Sequence, residues 1–310
     1  KTHYYGVIRK ENSLITINNK DSLFQIGSIS KVFTSIILSE MIESKEIKLD
    51  QTIDQHLGYE LYNNLRISFK SLSNHTSGLD RMPGDVYLQM AKNFANPYLN
   101  YNDTWMENYL RNKIETDDKK AGKSNYSNLG VAILGYTLSK KKGMSYDSIY
   151  KQLIFEKYDM HSSFISNQQD NHKLVKAYDM EDNTVVAWDL KMFSPAGGIV
   201  SNVVDMSKFA LAQMDSNNKA VQRTHQKTVQ LNNRMDVGLG WHLPKNKANH
   251  KWIWHNGATG TEGGYTSSMA IDLNTKKAAI ILSNISYIDV SSNLDKLTFS
   301  LLNYLNSKKD

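Results

Sequence analysis

The chain has 310 residues, 40% hydrophobic and 22% charged, enough for one large domain or two lobes, and holds no apolar run long enough to cross a bilayer. It contains no cysteine, which excludes disulfide frameworks, thiolate metal sites and a thiol nucleophile. Its formal charge of +6 is spread over scattered lysines with no interleaved aromatics, the pattern of a solvated basic surface and not of a nucleic-acid stripe, with an anionic wall polymer or lipid surface as the weaker reading.

Taken in chain order, His3 to Ile8 and Ser13 to Ile17 read as two strands joined at Lys10-Glu11-Asn12. Phe24 to Ile26 leads through Gly27 into an amphipathic helix, with Val32, Phe33, Ile36, Ile37, Met41 and Ile42 at helical spacing and an end near Lys45. Further helices are expected at about 84–95, 102–115, 128–142, 145–157 and 204–214, the last starting around Asp205 and Ser207. Ser73 to Gly78 and Ser194 to Gly198 read as loops. Lys251 to Trp254, Gly264 to Asp272 and Lys277 to Ser283 read as strands, with a tight turn at Asp272-Leu273-Asn274. A final helix at about 289–306 carries Leu294, Leu297, Leu301, Leu302 and Leu305. Strands at both ends around a helical middle predict a mixed α/β (α+β) fold with one sheet built from both termini. Residues 1–60 and 200–310 then form the sheet lobe and 61–199 an inserted helical lobe, with a ligand cleft expected between them. The chain opens at Lys1 with no Met and no apolar leader, which reads as a processed or trimmed polypeptide whose targeting or anchor segment lies outside it.

Three clusters stand out in order: Ser28-Ile29-Ser30-Lys31, Tyr126-Ser127-Asn128 and His255-Asn256-Gly257. Each pattern is short and recurs elsewhere: Ser-x-x-Lys also starts at Ser139, Ser148 and Ser216, Tyr-x-Asn at Tyr62, Tyr98 and Tyr304, and His-x-Gly at His56. Context singles out Ser28. It follows a glycine and opens a helix, where spare backbone N–H groups favour developing negative charge. Lys31, three residues on, shares its helix face, and burial in a cleft would let it accept the serine proton. Read alone, Ser28 serves equally as an N-cap with Lys31 on the surface. Tyr126 stands in a polar loop before an apolar helix, placed to pass protons to a leaving group, with Asn128 as a substrate or lysine contact; the alternative is a capping loop with Asn128 as N-cap. His255-Asn256-Gly257 ends a strand, Gly257 permits close backbone approach, and the N–H groups of Ser28 and Ala258 are the candidate oxyanion hole. The alternative for His255 is a satisfied edge histidine. No ligand spacing among the nine histidines suggests a metal, and no cofactor is expected.

The ordered triple resembles the serine β-lactamase and penicillin-recognising superfamily, built on Ser-x-x-Lys, Tyr-x-Asn and a Lys/His-x-Gly strand motif. The likeness extends to Leu49-Asp50-Gln51-Thr52-Ile53, Ile67 to Leu79, Tyr126 to Leu134, Ala196 to Ser201 and Gly238-Leu239-Gly240-Trp241, so it runs from about residue 22 to 284 in collinear order. It is most similar to the class C-like branch of D,D-peptidases, esterases and the FmtA-like proteins of staphylococci. The resemblance implies a β-lactamase/transpeptidase-like fold, an antiparallel sheet flanked by helices with an inserted helical lobe. It implies Ser28 as acylated nucleophile, Lys31 as proton acceptor and Tyr126 as partner acid/base. Asn128, His255, Asn256 and Gly257 fall at substrate-binding positions, with the Ser28 and Ala258 N–H groups as oxyanion hole.

One position departs from the β-lactamase pattern. The third motif has histidine for lysine and Asn256 for the hydroxyl residue, so the cation and hydroxyl that help bind a β-lactam carboxylate are missing, and weak or no β-lactamase activity is expected. The resemblance implies an extracytoplasmic serine hydrolase or acyl transferase acting on D-amino acyl peptides or esters, such as peptidoglycan stem peptide or D-alanylated teichoic acid. A general carboxylesterase and a non-catalytic domain that binds wall fragments remain the alternatives.

Overall fold

Gly6–Lys10 (β1) and Ser13–Ile17 (β2) pair antiparallel, from Gly6 opposite Ile17 to Lys10 opposite Ser13. The computed structural model describes residues 1–10, 13–246, 250–260, 263–286 and 288–308, so the turn expected at Glu11-Asn12 lies outside the described residues. Among those described, β1 and β2 pair only with each other. The sheet expected from both termini is thus corrected: the large sheet is drawn from the second half of the chain.

Phe24–Gln25 (β3) runs into a 3-10 turn, Gly27–Ile29, and then into Ser30–Glu43 (α1). The periodicity predicts an amphipathic helix, but every residue from Ser30 to Ser39 is buried, and Met41 with them. α1 is the axle of the molecule, and its small polar residues turn inward because each finds a partner. Thr34 donates to Pro195 O at 2.6 Å, Ser30 Oγ accepts from Ile199 N at 3.1 Å, and Ser35 bonds Ser73 at 2.8 Å. Full burial of Val32, Phe33, Ile36, Ile37 and Met41 is worth roughly 1.5–3 kcal/mol per side chain, far more than the helix propensity lost at the β-branched positions.

The helical portion follows as Asp54–Leu57 (α2), Phe69–Ser73 (α3), Val86–Lys92 (α4), Asp103–Asn112 (α5), Asn128–Lys142 (α6) and Tyr146–Tyr150 (α7), which continues as a π-turn over Lys151–Phe155. The expected helices at 102–115, 128–142 and 145–157 are all present, and that at 84–95 is shorter. Phe164–Ile165 (β4), Ala177–Asp179 (β5) and Thr184–Val185 (β6) are short strands. Ser194–Gly197 (α8), expected as loop, is a single helical turn before Ile199–Ser201 (β7). Val203–Gln213 (α9) is capped by Asn202, whose Oδ1 accepts from Asp205 N, so Asp205 and Ser207 are its first turn and not its start. Lys219–Thr224 (α10) follows.

Val229–Asn232 (β8), Met235–Val237 (β9), His242–Pro244 (β10), Trp252–Thr259 (β11), Gly263–Asp272 (β12) and Lys277–Ser283 (β13) complete an antiparallel sheet in the order β6-β5-β12-β11-β10-β9-β8, with β13 also beside β12. β3, β7 and β4 form a separate three-stranded sheet. Side chains alternate along β11. Trp252 and Trp254 stack toward Phe299 of the last helix, Ile288–Ser307 (α11), while Ile253, His255 and Gly257 face inward and are buried. The third motif, expected at the end of this strand, lies within it, and β11 continues to Thr259. The expected leucine stripe of α11 is only partly inward: Leu302 is buried, whereas Leu297 and Leu301 face outward because Trp252, Trp254 and Phe299 fill the contact with the sheet.

Candidate functional site

Ser28 sits in the 3-10 turn ahead of α1, not inside the helix. Gly27 makes that turn with φ +52°, and a Cβ there would lie 2.6 Å from Ala258 N. Gly257 answers from the strand side: a Cβ on it would collide with Ile26 O and stand 2.8 Å from Ser28 N. Two glycines face to face thus let the backbone of the turn lie against β11, which brings the N–H groups of Ser28 and Ala258 to one edge. Ser267 Oγ pins the arrangement by donating to Ile26 O at 2.7 Å. Gly257 therefore serves the approach of backbone to backbone.

Lys31 lies in the first turn of α1 and is 0% exposed. Its Nζ is 2.9 Å from Ser28 Oγ and donates to Ala196 O at 2.6 Å. Loss of hydration, with the Arg81 guanidinium adding repulsion, holds its pKa well below the ordinary lysine range. α8 owes its place to this contact: the turn expected as loop presents the carbonyls of Pro195 and Ala196 to α1.

The Tyr126 phenol stands near enough to the Ser28 hydroxyl for that group to lower its pKa. Burial pushes its pKa up to about 12, against the opposing pull of that hydroxyl and of Arg81, so it is a protonated O–H at neutral pH. Lys31 Nζ is 4.9 Å from the phenol ring centroid and Arg81 Cζ 5.1 Å. Ser127, not Asn128, caps α6, its Oγ accepting from Gly130 N at 2.8 Å. Asn128 is freed from capping; its amide donates to Met82 Sδ at 3.4 Å and lines the cleft beside Ser28.

The third motif divides between two faces. His255 is buried behind Lys31 and Tyr126, its ring 6.4 Å from the phenol and 5.1 Å from His242. Its Nδ1 lies 2.5 Å from Asn256 O, a bond that requires the proton on Nδ1. Burial, then the neighbouring His242 and Lys31, keeps it neutral, with its pKa well below the usual histidine range. It does not reach the cleft surface expected of a substrate-binding residue. Asn256 is corrected more fully: the pleat turns its amide to the far side, where it donates to Asp295 Oδ2 of α11 at 2.7 Å.

Two residues that sequence reasoning left as loop polarity complete the site. His75 packs 4.6 Å from the Tyr126 ring and accepts from Ser127 N at 3.2 Å through Nδ1, and burial lowers its pKa to about 3. Arg81 lies in the same loop; its carbonyl accepts from Asn128 N and Leu129 N, and the Asp80 carbonyl accepts from Ser127 Oγ at 2.6 Å. The signal for His75 was its place in a polar stretch quoted only for its family likeness; Arg81 lies two residues beyond that stretch. The cleft holds about 640 Å³, with Ser28, Asn128, Ala196 and Ala258 at one end and Met82, Tyr87, Tyr98, Trp188 and Phe193 among its walls. Among the described residues, no cluster of His, Cys, Asp or Glu is placed to hold a metal ion.

The profile of the family described as Beta-lactamase matches residues 2–298. Penicillin-binding protein 4* of Bacillus subtilis (strain 168) is 27% identical over 284 residues, 85% of this chain and 61% of that protein. A Beta-lactamase of Providencia stuartii is 25% identical over 233 residues, 72% of this chain and 56% of that one. The chain thus spans little more than half the length of these curated relatives. Among solved structures, the Beta-Lactamase/D-Alanine Carboxypeptidase from Pseudomonas syringae superposes with a TM-score of 0.77 at 17% identity, covering 96% of this chain and 91% of that one.

Proposed function

The chain belongs to the beta-lactamase family of serine hydrolases, and from that membership we propose that it is an acyl-enzyme hydrolase or acyl transferase of D-amino acyl peptides or esters at the cell envelope. The carrying observation is the 2.9 Å contact between Lys31 Nζ and Ser28 Oγ, with the Tyr126 ring centroid 4.9 Å from the same Nζ. A lysine with its pKa lowered by burial supplies a free amine to take the Ser28 proton along that line, while a bond forms between Oγ and the acyl carbon. The Ser28 and Ala258 N–H groups receive the developing oxyanion. As the bond to the leaving alcohol or amine breaks, Tyr126 gives that group its proton and is recharged from the Lys31 ammonium. Water or another acceptor then attacks the acyl-enzyme by the reverse relay. His255 supplies no cation here, which supports weak or absent β-lactam turnover. The D-alanine carboxypeptidase in the name of the Pseudomonas relative and the basic charge of the chain support a D-alanyl substrate on an anionic wall polymer, outside the cytoplasm.

The aromatic walls of the cleft favour one second reading, a carboxylesterase for apolar acyl groups. Treatment with a fluorophosphonate, read by intact mass, tests the mechanism: one adduct is expected on the wild type and none on Ser28→Ala. An unlabelled but folded wild type overturns it. Comparing kcat/KM for a D-alanyl ester with that for p-nitrophenyl acetate separates the two substrate readings.

A further inference from the structure

We propose that Arg81 is the anion anchor of this cleft, selecting acyl donors that carry a carboxylate or phosphate near the scissile bond. The inference deepens the acyl-enzyme reading and rests on it for the identity of the reacting group.

Charge on the cleft wall is sparse. Its only charged lining residues among those described are Asp80 and Arg81. Asp80 is engaged by Lys120 at 2.6 Å. Arg81 is exposed, and no ion pair to a carboxylate involves it among the described residues. Its guanidinium stands 5.1 Å from the Tyr126 ring centroid, so it flanks the group that protonates the leaving atom. The backbone holds it there. The Arg81 carbonyl takes the N–H groups of Asn128 at 3.0 Å and Leu129 at 3.2 Å, which locks residue 81 to the start of α6. A fixed root under an unpaired fork of donors is the arrangement that binds planar or tetrahedral oxyanions.

The opposite wall cannot do this work. Of the third motif, His255 is buried and neutral and Asn256 is turned to Asp295. The remaining walls are largely apolar. Among the described lining residues, an anionic donor entering beside Ser28 meets one unpaired cation, and it is Arg81. The influence of Arg81 on Lys31 and Tyr126 runs the same way: an anion paired with the guanidinium relieves its repulsion of the ammonium formed at Lys31.

The test compares three D-alanyl esters, of glycerol phosphate, of lactate and of ethylene glycol, on the wild type, Arg81→Ala and Arg81→Lys. The expected result is a fall of about tenfold or more in the anionic-to-neutral ratio of kcat/KM for Arg81→Ala, mostly in KM, with partial recovery in Arg81→Lys, as for loss of one charge-assisted contact. The ester with the larger drop identifies phosphate or carboxylate as the preferred group. An unchanged ratio overturns the proposal. A second arm does not depend on turnover: the corresponding D-alanyl amides are titrated into Ser28→Ala with and without Arg81→Ala. Weaker binding of the anionic amides alone supports Arg81; equal loss for the neutral amide, or no loss, overturns it. Failure of the acyl-enzyme reading shows separately, as absence of labelling at Ser28.

Discussion

Lys31 faces Ser28 with no carboxylate among the described residues to hold its charge: Nζ is 2.9 Å from Oγ, it also donates to a carbonyl, and the Arg81 cation is the charged neighbour that lowers its pKa. Burial and the Arg81 cation favour the neutral amine, against the pull of the bond to the carbonyl. A buried lysine of this kind is a base, whereas one paired with Asp or Glu is a fixed cation.

Activity is therefore expected to rise with pH along a single acid limb. The working form is the free amine, so kcat/KM falls as pH drops through the Lys31 pKa, which lies well below the lysine range of 10.5. Tyr126, at about 12, stays protonated throughout and adds no alkaline limb in the accessible range. Lys31→Arg, which cannot give up its proton, should lose about 10²–10⁴-fold in kcat. A pH-rate profile on a neutral ester checks both; a kcat/KM that falls as pH rises counts against the free-amine role.

The contribution of Lys31 to stability should rise with pH as well. A folded-state pKa below the unfolded value means the unfolded chain binds more protons near neutrality, so Lys31 opposes folding there, and the penalty fades as pH rises toward 10.5. Lys31→Met is expected to be inactive yet more stable at pH 7 by about 1 kcal/mol, with a smaller gain at pH 10. Urea unfolding at the two pH values measures this. A destabilised variant at pH 7 would show that the contact to Ala196 O outweighs desolvation.

Gly257→Ala is expected to damage fold and site together. Its Cβ runs into Ile26 O and close to Ser28 N and Ser267 Oγ, backbone and pinned groups that cannot swing aside. A cost of roughly 1–3 kcal/mol and loss of fluorophosphonate labelling are anticipated. Denaturation midpoints and intact mass provide the readout, and wild-type behaviour in both would refute the interlock of the turn with β11.

Asn256→Ala separates motif from geometry. Its amide serves Asp295 on the far face of the strand, so the change should cost about 1 kcal/mol of stability and leave kcat/KM per folded molecule near the wild-type value. A large kinetic loss in a variant of unchanged stability would return this residue to the substrate side.

The legible part of the site was its spacing. Gly27 before Ser28, Lys31 one helical step on, and a polar loop ahead of α6 are local facts, and local facts survive folding. The period of α1 gave the helix but not its burial on every side, because inward serines and threonines look polar until their partners at 73, 195 and 199 are known. The short strands β8, β9 and β10 carry too few residues to show a period. The facing of Asn256 depended on strand register, where a shift of one residue exchanges the two sides. Arg81 and His75 were invisible as site residues because their roles arise from bonds to a loop some fifty positions away.

The paired absence of side chains at 27 and 257 has an evolutionary consequence. The part of the crevice proposed to receive the oxyanion is assembled from main chain, so it is indifferent to which residues decorate the neighbouring positions. A lineage can exchange a lysine for a histidine at 255, or move its cation to another loop, without rebuilding the reaction centre. On the proposed roles, specificity and chemistry sit on separate parts, so a change in the first does not require a change in the second.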